Sequence, residues 1–548
     1  MKSLAWLIVL TSIAGGHGLA QEHRHSAGSH DGEQLGIVSF ATSCSPAVQK
    51  PFERGVALLH SFWYEESEKQ FVEIAKADPS CAMAHWGVAM SLYHQLWDRA
   101  TGGRLKRGMT AAETAVALKA GTPRERGYVD AIAAFYADAE TRDHTARAAA
   151  YTAAMARLYA AFPDDLEAGA FYGLALLASA PPNDVTFVNA KKAVEVLMPL
   201  MRQQPAHPGL AHYIIHACDN PSMAPQGLEA ARRYAAIAPS SPHAVHMPSH
   251  IFSRLGLWQE SIQSNLASVD ATKKADEQKR GGSDHALHAM DFLNYAYLQV
   301  GRDKEAKAVV ADALRLIDAL GKSHIADHEM AGYLDYARAQ FPALYAMEVR
   351  DWTSAAALEA PAGSKPLAQT ITYWARGTGA ARAGNASDAS RNAGRFEQLL
   401  EDIGKSSDAY ILAELDVVRD QLRAWVAFAE GRGDEAVRVM RDAADRQDAR
   451  GKGEVEIPAR EMLADILLEL ARPGEALAEY ERSMTIDPNR FNALFGAGVA
   501  AEKAGEPELA RKYYATLLKN CEGSGSARVE LARAKRSIDE RKASQRSQ

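Results

Sequence analysis

Small and apolar residues recur at fixed spacing near the carboxyl end of the chain. Between residues 457 and 488 they stand at Leu463, Ala464, Leu467, Ala476, Tyr480 and Pro488. About 34 residues further on, the same frame returns at Gly498, Ala501, Ala510, Tyr514 and Leu517. This pattern predicts stacked helix pairs, because one pair alone does not bury its apolar face and needs a neighbour to cover it.

The pattern resembles the tetratricopeptide repeat and extends toward the amino end with decreasing regularity. A first repeat, counted from Val48, carries the family's marker positions at Gly55, Leu58, Phe71 and Pro79. A middle trio of repeats begins at Ala211, His243 and Leu287. Less regular helix pairs fill 123–162, 165–204, 335–358, 367–403 and 409–447. The resemblance implies an all-α fold, a right-handed α-solenoid of about 11–12 helix pairs whose concave face binds a protein or peptide partner.

The two ends of the chain differ from the repeats. Residues 1–20 combine Lys2, a short apolar stretch and a small-residue site ending at Ala20, which predicts a secretory signal peptide and a periplasmic or secreted protein. We expect a His-containing flexible linker at 21–40 and a disordered tail at 539–548. Between them, the pattern predicts an irregular array with a His-rich inner face at 41–350 and a regular carboxyl-terminal array at 351–538.

Composition narrows the function classes. The chain has 548 residues, too many for one compact core, and its net charge of −7 comes with no basic stripe for a nucleic acid. No stretch of about 20 apolar residues follows the signal, so we expect no membrane span in the mature protein. Phosphate-binding loops, dinucleotide fingerprints, nucleophile elbows and His-Glu-x-x-His motifs are absent from the sequence.

The chain has four cysteines, Cys44, Cys81, Cys218 and Cys521. An even number in an oxidising compartment favours pairing, although spacing alone does not give the connectivity. Cys44 precedes the first repeat and Cys81 opens the second. A Cys44–Cys81 disulfide would therefore staple the amino-terminal repeats and leave the other two thiols free.

The 18 histidines are distributed unevenly, since none follows His328. Three of them, His23, His25 and His30, lie in the polar segment near the amino end, which is either a solvated linker or a loose metal-binding tail. In the middle repeats, His212 and His216 are four residues apart, and Asp219 returns to the same helix face. This spacing lets one helix offer two imidazoles to one ligand.

Further histidines follow in the next two repeats. His243, His246 and His250 share a face if their segment is helical, although Pro248 should break or kink that helix. His285 and His288 precede Asp291. In the tetratricopeptide register, the inward-facing positions would be held by His212, Asp219, Arg254, His288 and Asp291. The same register places His250 at a packing position, where a buried imidazole bonded to a carbonyl is the alternative.

These positions lead to a metal-site hypothesis. A divalent transition metal (Zn, Cu or Fe) would be held by His212, His216, His246, His250 and His288, with Asp219 or Asp291 as further ligands or hydrogen-bond acceptors. Arg254 is the groove cation and would hold an anionic group or brace Asp291. A second candidate group is His60, His85 and His94.

Three functions follow from the sequence. The chain is an interaction scaffold with a metal site, a metal-dependent enzyme that uses the same histidines, or a metal-free protein-binding scaffold. The strings at 81–87, 212–216 and 246–252 also resemble a group of exported bacterial tetratricopeptide proteins without an assigned activity. That resemblance indicates a protein family but predicts no reaction.

Overall fold

A computed structural model describes residues 32–96, 99–181, 184–280, 282–322, 328–404, 409–451, 453 and 455–546. Over these ranges the chain forms helices and turns, without a β-strand. The predicted signal peptide at 1–20 and the histidines His23, His25 and His30 lie outside the described residues.

A short 3-10 turn, Pro46–Val48, precedes the first α-helix. The helices of the amino-terminal half are α1 (Gln49–His60), α2 (Tyr64–Ala77), α3 (Ala82–Ser91), α4 (Gly102–Leu118), α5 (Pro123–Tyr136), α6 (His144–Ala161), α7 (Leu166–Ala178), α8 (Val188–Gln203), α9 (Pro208–Cys218), α10 (Ala224–Ile237), α11 (Pro242–His246), α12 (Pro248–Arg254) and α13 (Trp258–Glu277).

The remaining helices are α14 (Ser283–Gln299), α15 (Asp303–Lys322), α16 (His328–Glu348), α17 (Trp352–Ala356), α18 (Pro366–Arg382), α19 (Ala386–Ile403), α20 (Ala409–Ala429), α21 (Gly433–Arg450), α22 (Ala459–Glu469), α23 (Pro473–Ile486), α24 (Phe491–Lys503), α25 (Pro507–Asn520) and α26 (Val529–Arg546).

Local sequence signals account for many of these boundaries. Thr122 and Glu125 form a reciprocal capping box at the start of α5, and Asp165 caps α7 through its side chain. Proline occupies an early position of α23 and α25, where its missing N–H costs no helical bond. The chain therefore encodes short helices with firm ends, as a stack of pairs requires.

Consecutive helices pack in antiparallel pairs, and each pair packs on the next. The described part of the chain contains α1 to α25 in 12 such pairs, with α11 and α12 sharing one position, and α26 covers the last pair. The predicted all-α solenoid of about 11–12 pairs is confirmed.

Pro248 interrupts the first helix of the sixth pair, as its residue type predicts. α11 ends at His246 and α12 begins at Pro248, since proline has no N–H to continue the hydrogen-bond ladder. His246 and His250 therefore lie on either side of a break and not on one regular helix.

Buried apolar side chains form two main cores. The first extends from Phe40 to Phe252, and the second from Trp258 to Ala534. Along the chain, the boundary between the two cores lies between α12 and α13. We call them the amino core and the carboxyl core.

In each half of the solenoid, hydrogen bonds join elements that are far apart in the sequence. In the amino half, the Nδ1 atom of His60 lies 2.8 Å from the Tyr213 hydroxyl, which joins α1 to α9. In the carboxyl half, the Trp258 indole N–H donates to the carbonyl of Asn489 at 2.8 Å. Gly256 makes this contact possible, because a Cβ there would lie 2.4 Å from the Pro488 carbonyl oxygen.

Two predicted segments differ from the structure. The predicted linker at 21–40 is packed in its last residues: the Ile37 N–H donates to the Ala206 carbonyl at 2.9 Å, and Phe40 is fully buried. Apolar side chains in a segment that looked polar overall hold it against the helices. The predicted disordered tail at 539–548 is helical as far as Arg546, since Glu, Arg, Lys, Ala and Gln favour helix.

No helix within the described ranges is long and apolar enough to cross a membrane.

Candidate metal centre

Six histidines from four helices converge where the amino half meets the carboxyl half. We call this set the histidine centre; it consists of the first triad (His212, His216 and His243) and the second triad (His246, His250 and His288). In each triad, one nitrogen from every ring lies within 4.8 Å of the others. The centre unites all five histidines of the predicted site and adds His243.

The first triad is built on α9 and the start of α11. The Nδ1–H of His212 donates to the backbone carbonyl of His60 at 2.6 Å, so the proton of the neutral ring is on Nδ1. The Nε2 of His212 therefore carries a lone pair, and it lies 3.0 Å from the Nε2 of His216. The ring of His243 lies 5.0 Å from that of His212.

Burial favours the neutral form of three of the six imidazoles. It lowers the pKa of His212 to about 3, and it holds the pKa of His243 and His246 well below the usual value for histidine. Neutral imidazole is the form that binds a metal, because the ligand is the unprotonated nitrogen.

The second triad spans the break at Pro248. The Nδ1–H of His246 donates to the side-chain oxygen of Asn265 at 2.7 Å, while the Asn265 amide donates to the Ser261 carbonyl at 2.8 Å and so fixes which amide atom faces the ring. The Nδ1–H of His250 donates to a carboxylate oxygen of Asp219 at 2.9 Å. The rings of His246 and His288 lie 4.5 Å apart.

These hydrogen bonds leave two lone pairs facing each other. The Nε2 atoms of His246 and His250 are 3.0 Å apart, and both rings have already given their Nδ1–H to oxygen acceptors. Two such lone pairs repel unless a proton or a metal ion lies beside both. Two imidazole nitrogens on one tetrahedral zinc ion, each at 2.0–2.1 Å, are about 3.3–3.4 Å apart. The observed 3.0 Å is a few tenths of an ångström shorter, so a small ring movement would bring both nitrogens to the distance of two ligands of one ion.

Asp219 orients a ligand and is not placed as one. One of its carboxylate oxygens accepts from His250, and the other accepts from the Nε of Arg254 at 3.0 Å. Carboxylate–histidine pairs of this kind fix the ring and raise its basicity toward a metal. The predicted groove cation Arg254 thus braces Asp219.

Asp291 lies outside both triads. One of its carboxylate oxygens accepts from the side-chain amide of Gln340 at 3.0 Å, which ties α14 to α16. The expectation that Arg254 braces Asp291 is replaced by its contact with Asp219.

The second candidate group is not assembled. The Nε2–H of His60 donates to Glu167 at 2.7 Å, and the Nε2–H of His207 donates to the other oxygen of the same carboxylate at 3.0 Å. The Nδ1 of His207 accepts the Leu210 N–H, so its Nε2 must carry the proton and cannot bind a metal. This buried network is a hydrogen-bonded support.

His85 and His94 lie elsewhere in the amino half. His85 is half-buried on α3, where burial lowers its pKa. The ring of His94 stacks on Tyr64 at 4.1 Å, and its Nδ1 lies 3.1 Å from Arg104. The sequence spacing of His60, His85 and His94 did not show that their side chains lie in separate environments and do not converge.

The histidine centre is largely buried. His212 is 0 % exposed, His243 is 3 % and His246 is 1 %, whereas His216 and His288 are half-buried. The closure of the amino half covers the inner helices, because the backbone of His60 packs against the first triad. His216 and His288 are therefore among the more exposed members of the centre.

The structure joins Cys44 and Cys81 by a disulfide, with 4.9 Å between their Cα atoms. Cys218 and Cys521 are buried free thiols, and burial raises the pKa of both to about 12. Neither buried thiol is therefore a thiolate at neutral pH.

Residues 457–490 match the tetratricopeptide repeat family, and they coincide with α22 and α23. This confirms the repeat first recognised between 457 and 488. None of the curated proteins compared matches the chain.

Solved structures similar to this chain include two at low identity. The human IFIT1 dimer with PPP-AAAA is 12 % identical, with a TM-score of 0.36, covering 80 % of this chain and 91 % of that one. A tetratricopeptide repeat protein from Parabacteroides merdae is 14 % identical, with a TM-score of 0.28, covering 52 % of this chain and 98 % of that one. Superpositions this partial carry no ligand or partner over to the present chain.

Proposed function

We propose that this tetratricopeptide-type helical array is an exported scaffold protein that binds a divalent transition metal in its histidine centre. The observation that carries the proposal is the pair of Nε2 lone pairs of His246 and His250, 3.0 Å apart. Both rings are held in the metal-binding tautomer by oxygen acceptors on their Nδ1 atoms.

The chemistry of the centre favours zinc, copper or iron among the metals. Its ligand atoms are imidazole nitrogens, which suit these ions, and carboxylates contribute only through hydrogen bonds to the rings. Magnesium and calcium prefer oxygen ligands and are disfavoured here.

Two features support export. The predicted signal at 1–20 leads into the packed region, and the Cys44–Cys81 disulfide is of the kind that persists in oxidising compartments. The solenoid itself supports a scaffold role, because stacked helix pairs offer long surfaces to a protein or peptide partner.

Metal-dependent catalysis is a second candidate function. A triad supplies three protein ligands, and three ligands with one open position are typical of catalytic zinc. The half-buried rings of His216 and His288 would give a small substrate access to that position.

Elemental analysis of the tag-free chain tests the proposal. We expect at least one equivalent of a transition metal to remain after dialysis. The double variant His246→Ala/His250→Ala should lose the ion held by that pair, so that the bound metal falls by at least one equivalent, whereas the matched control His85→Ala should keep all of it, because His85 lies outside the centre. Absence of stoichiometric metal after loading with Zn²⁺, Cu²⁺ and Fe²⁺ in turn would refute the proposal.

A further inference from the structure

The two triads of the histidine centre lie side by side. The rings of His216 and His250 are 6.4 Å apart, and those of His243 and His246 are 6.1 Å apart. Each of these pairs has one member in each triad. The triads are therefore neighbours at the scale of single side chains.

One short helix connects the triads. α11 carries His243 in the first triad and His246 in the second, three residues apart and on one side of the helix. Five residues of helix thus fix the spacing between the triads. An ion bound in one triad would therefore lie close to an ion bound in the other triad.

Each triad has the internal geometry of a separate ligand set. The first contains the His212–His216 pair with Nε2 atoms 3.0 Å apart, and the second contains the His246–His250 pair at the same distance. The acceptors that fix the rings also differ: the His60 carbonyl serves the first triad, while Asn265 and Asp219 serve the second. Six imidazoles are more than one ion coordinates in a tetrahedral site.

The charge around the centre limits the kind of ion. The ligand atoms are imidazole nitrogens, and the negative charge of Asp219 is paired with Arg254. Copper and zinc accept all-imidazole surroundings of this kind. Calcium and magnesium, which prefer oxygen ligands such as carboxylates, do not fit two triads made of imidazoles.

We infer that the two triads form a binuclear centre that takes two copper or zinc ions, one in each triad. This inference rests on the proposed metal-binding function and adds its stoichiometry and its ligand partition. His243, which the sequence pattern alone did not select, is a ligand of the first ion. His216 and His288 are the half-buried ligands, one for each ion.

Titration of the apoprotein with Cu²⁺ tests the stoichiometry. The chain should carry His23→Ala, His25→Ala and His30→Ala, so that the polar segment adds no equivalents. We expect two equivalents of tightly bound Cu²⁺ in this background, and one equivalent when either His216→Ala or His288→Ala is added. These two side chains are half-buried, and their truncation should leave the fold intact, as circular dichroism would verify.

Electron paramagnetic resonance of the Cu²⁺-loaded chain tests adjacency. The neighbouring rings of the two triads are 6.1–6.4 Å apart, and two Cu²⁺ ions held this close together couple magnetically and lose the signal of isolated ions. We expect a coupled or silent spectrum at two equivalents, and an isolated Cu²⁺ signal of one spin in His216→Ala and in His288→Ala.

The outcomes separate this inference from the proposed function. A single equivalent that survives His216→Ala unchanged would overturn the binuclear centre and leave a single-metal protein. Two equivalents with an uncoupled spectrum would also overturn it. Absence of bound metal in the unsubstituted centre would refute both proposals together.

Discussion

A hydrogen bond from the Nδ1–H of an imidazole fixes the tautomer of the ring, so that its Nε2 atom carries the lone pair that can bind a metal. In the histidine centre, Asp219 accepts from the Nδ1–H of His250 and so turns the Nε2 lone pair inward. Arg254 holds the other oxygen of the carboxylate and keeps it from rotating away. The strength of metal binding should therefore depend on a residue that does not touch the metal.

Asp219→Asn should weaken metal binding without abolishing it. The amide still offers an oxygen but no charge, and loss of such a partner typically costs about 10–100-fold in metal affinity. Competition titration with a chromogenic chelator would measure the change. Asp465→Asn is the matched control, because Asp465 pairs with Arg350 in the carboxyl half, and its metal affinity should equal that of the unsubstituted chain.

Glu167 is expected to make stability depend on pH. Burial raises the pKa of its carboxyl, but His207 and His60 outweigh burial and hold that pKa well below its usual range. A lowered folded-state pKa gives stability that is present above the unfolded value, about pH 4.3, and is lost as the pH falls toward the folded value. The stability difference between the unsubstituted chain and Glu167→Gln should be largest near pH 7.

Denaturant unfolding at pH 7 and at pH 3 would measure that difference. We expect Glu167→Gln to lower the free energy of unfolding at pH 7 by about 2–4 kcal/mol, since it leaves a buried N–H of His60 or His207 without its charged acceptor. An equal difference at both pH values would contradict the assignment. The exposed-site variant Glu73→Gln should show no such dependence, since Glu73 pairs only with exposed Lys76.

At the scale of the element, turns between paired helices determine how the array closes. Gly256 has a φ of +63° and ends the turn between α12 and α13 against the Pro488 carbonyl. Gly384 has a φ of +81° in the corresponding turn between α18 and α19, with open space around its missing Cβ. The two glycines share a backbone conformation and differ in what they approach.

Gly256→Ala should destabilise the chain more than Gly384→Ala. Left-handed backbone costs an L-residue about 1–2 kcal/mol, which both variants incur. Only Gly256→Ala also forces a Cβ into a backbone carbonyl that cannot move freely, so we expect its loss to exceed that of the control by at least about 1 kcal/mol. Equal losses in thermal unfolding would show that the Pro488 contact does not form.

Helices and their pairing were predictable from the sequence because they depend on short-range patterns. The frame from Leu463 to Pro488 and the break at Pro248 follow from spacing and from proline geometry. His243 and the His207–Glu167 network were not predicted, because they depend on side-chain contacts between neighbouring helix pairs, which the spacing within one repeat does not give. The His243–His246 spacing of three residues was the available signal, and the repeat register had directed attention to other positions.

The burial of the histidines was also not predictable from the repeat frame, for a reason that lies beyond the single repeat. The repeat register predicts which residues of a helix point toward the concave side, but it does not predict the curvature of the stack of helix pairs. Here α1 contacts α9, and α24 contacts α14, so helices that are far apart in the sequence pack against each other. The histidines that register placed inward are consequently interior.

At the scale of the whole molecule, the carboxyl half is held by a buried cation. Arg490 is 0 % exposed and donates to Glu348 and Glu461 at 2.8 Å each, and it also contacts the Tyr295 hydroxyl. These partners come from α16, α22 and α14. One side chain on the approach to α24 therefore fixes three helices.

Arg490→Met should destabilise the carboxyl core strongly. Removal of one partner from a buried ion pair costs about 3–5 kcal/mol, because the remaining carboxylates lose their counter-charge. The surface variant Arg472→Met is the control and should cost less than about 1 kcal/mol, since Arg472 pairs with exposed Glu475. Denaturant unfolding followed by tryptophan fluorescence would compare them.

Metal binding should couple the two cores. In the second triad, His246 and His250 stand beside the amino core, while His288 is on α14 beside the carboxyl core. At 1,000 times its dissociation constant, a bound ion stabilises the folded state by about 4 kcal/mol. We expect calorimetry to resolve two transitions in the apoprotein and to bring them together with Zn²⁺.

His288→Ala should abolish that effect of Zn²⁺ on the carboxyl transition, and His216→Ala should preserve it. Both rings are half-buried, so the comparison is between two similar truncations. Convergence of the transitions in His288→Ala would contradict the role of the second triad in joining the cores.

The position of Arg490 in the chain also sets the order of events as the protein is made. Its contacts with Tyr295 and Glu348 join residues 195 and 142 positions apart, so these two partners emerge well before the cation, whereas Glu461 precedes it by 29 residues. Contacts between such distant positions form slowly, because a long loop must close first. The contacts that join α14, α16 and α22 through Arg490 thus form only after the last repeats have been synthesised.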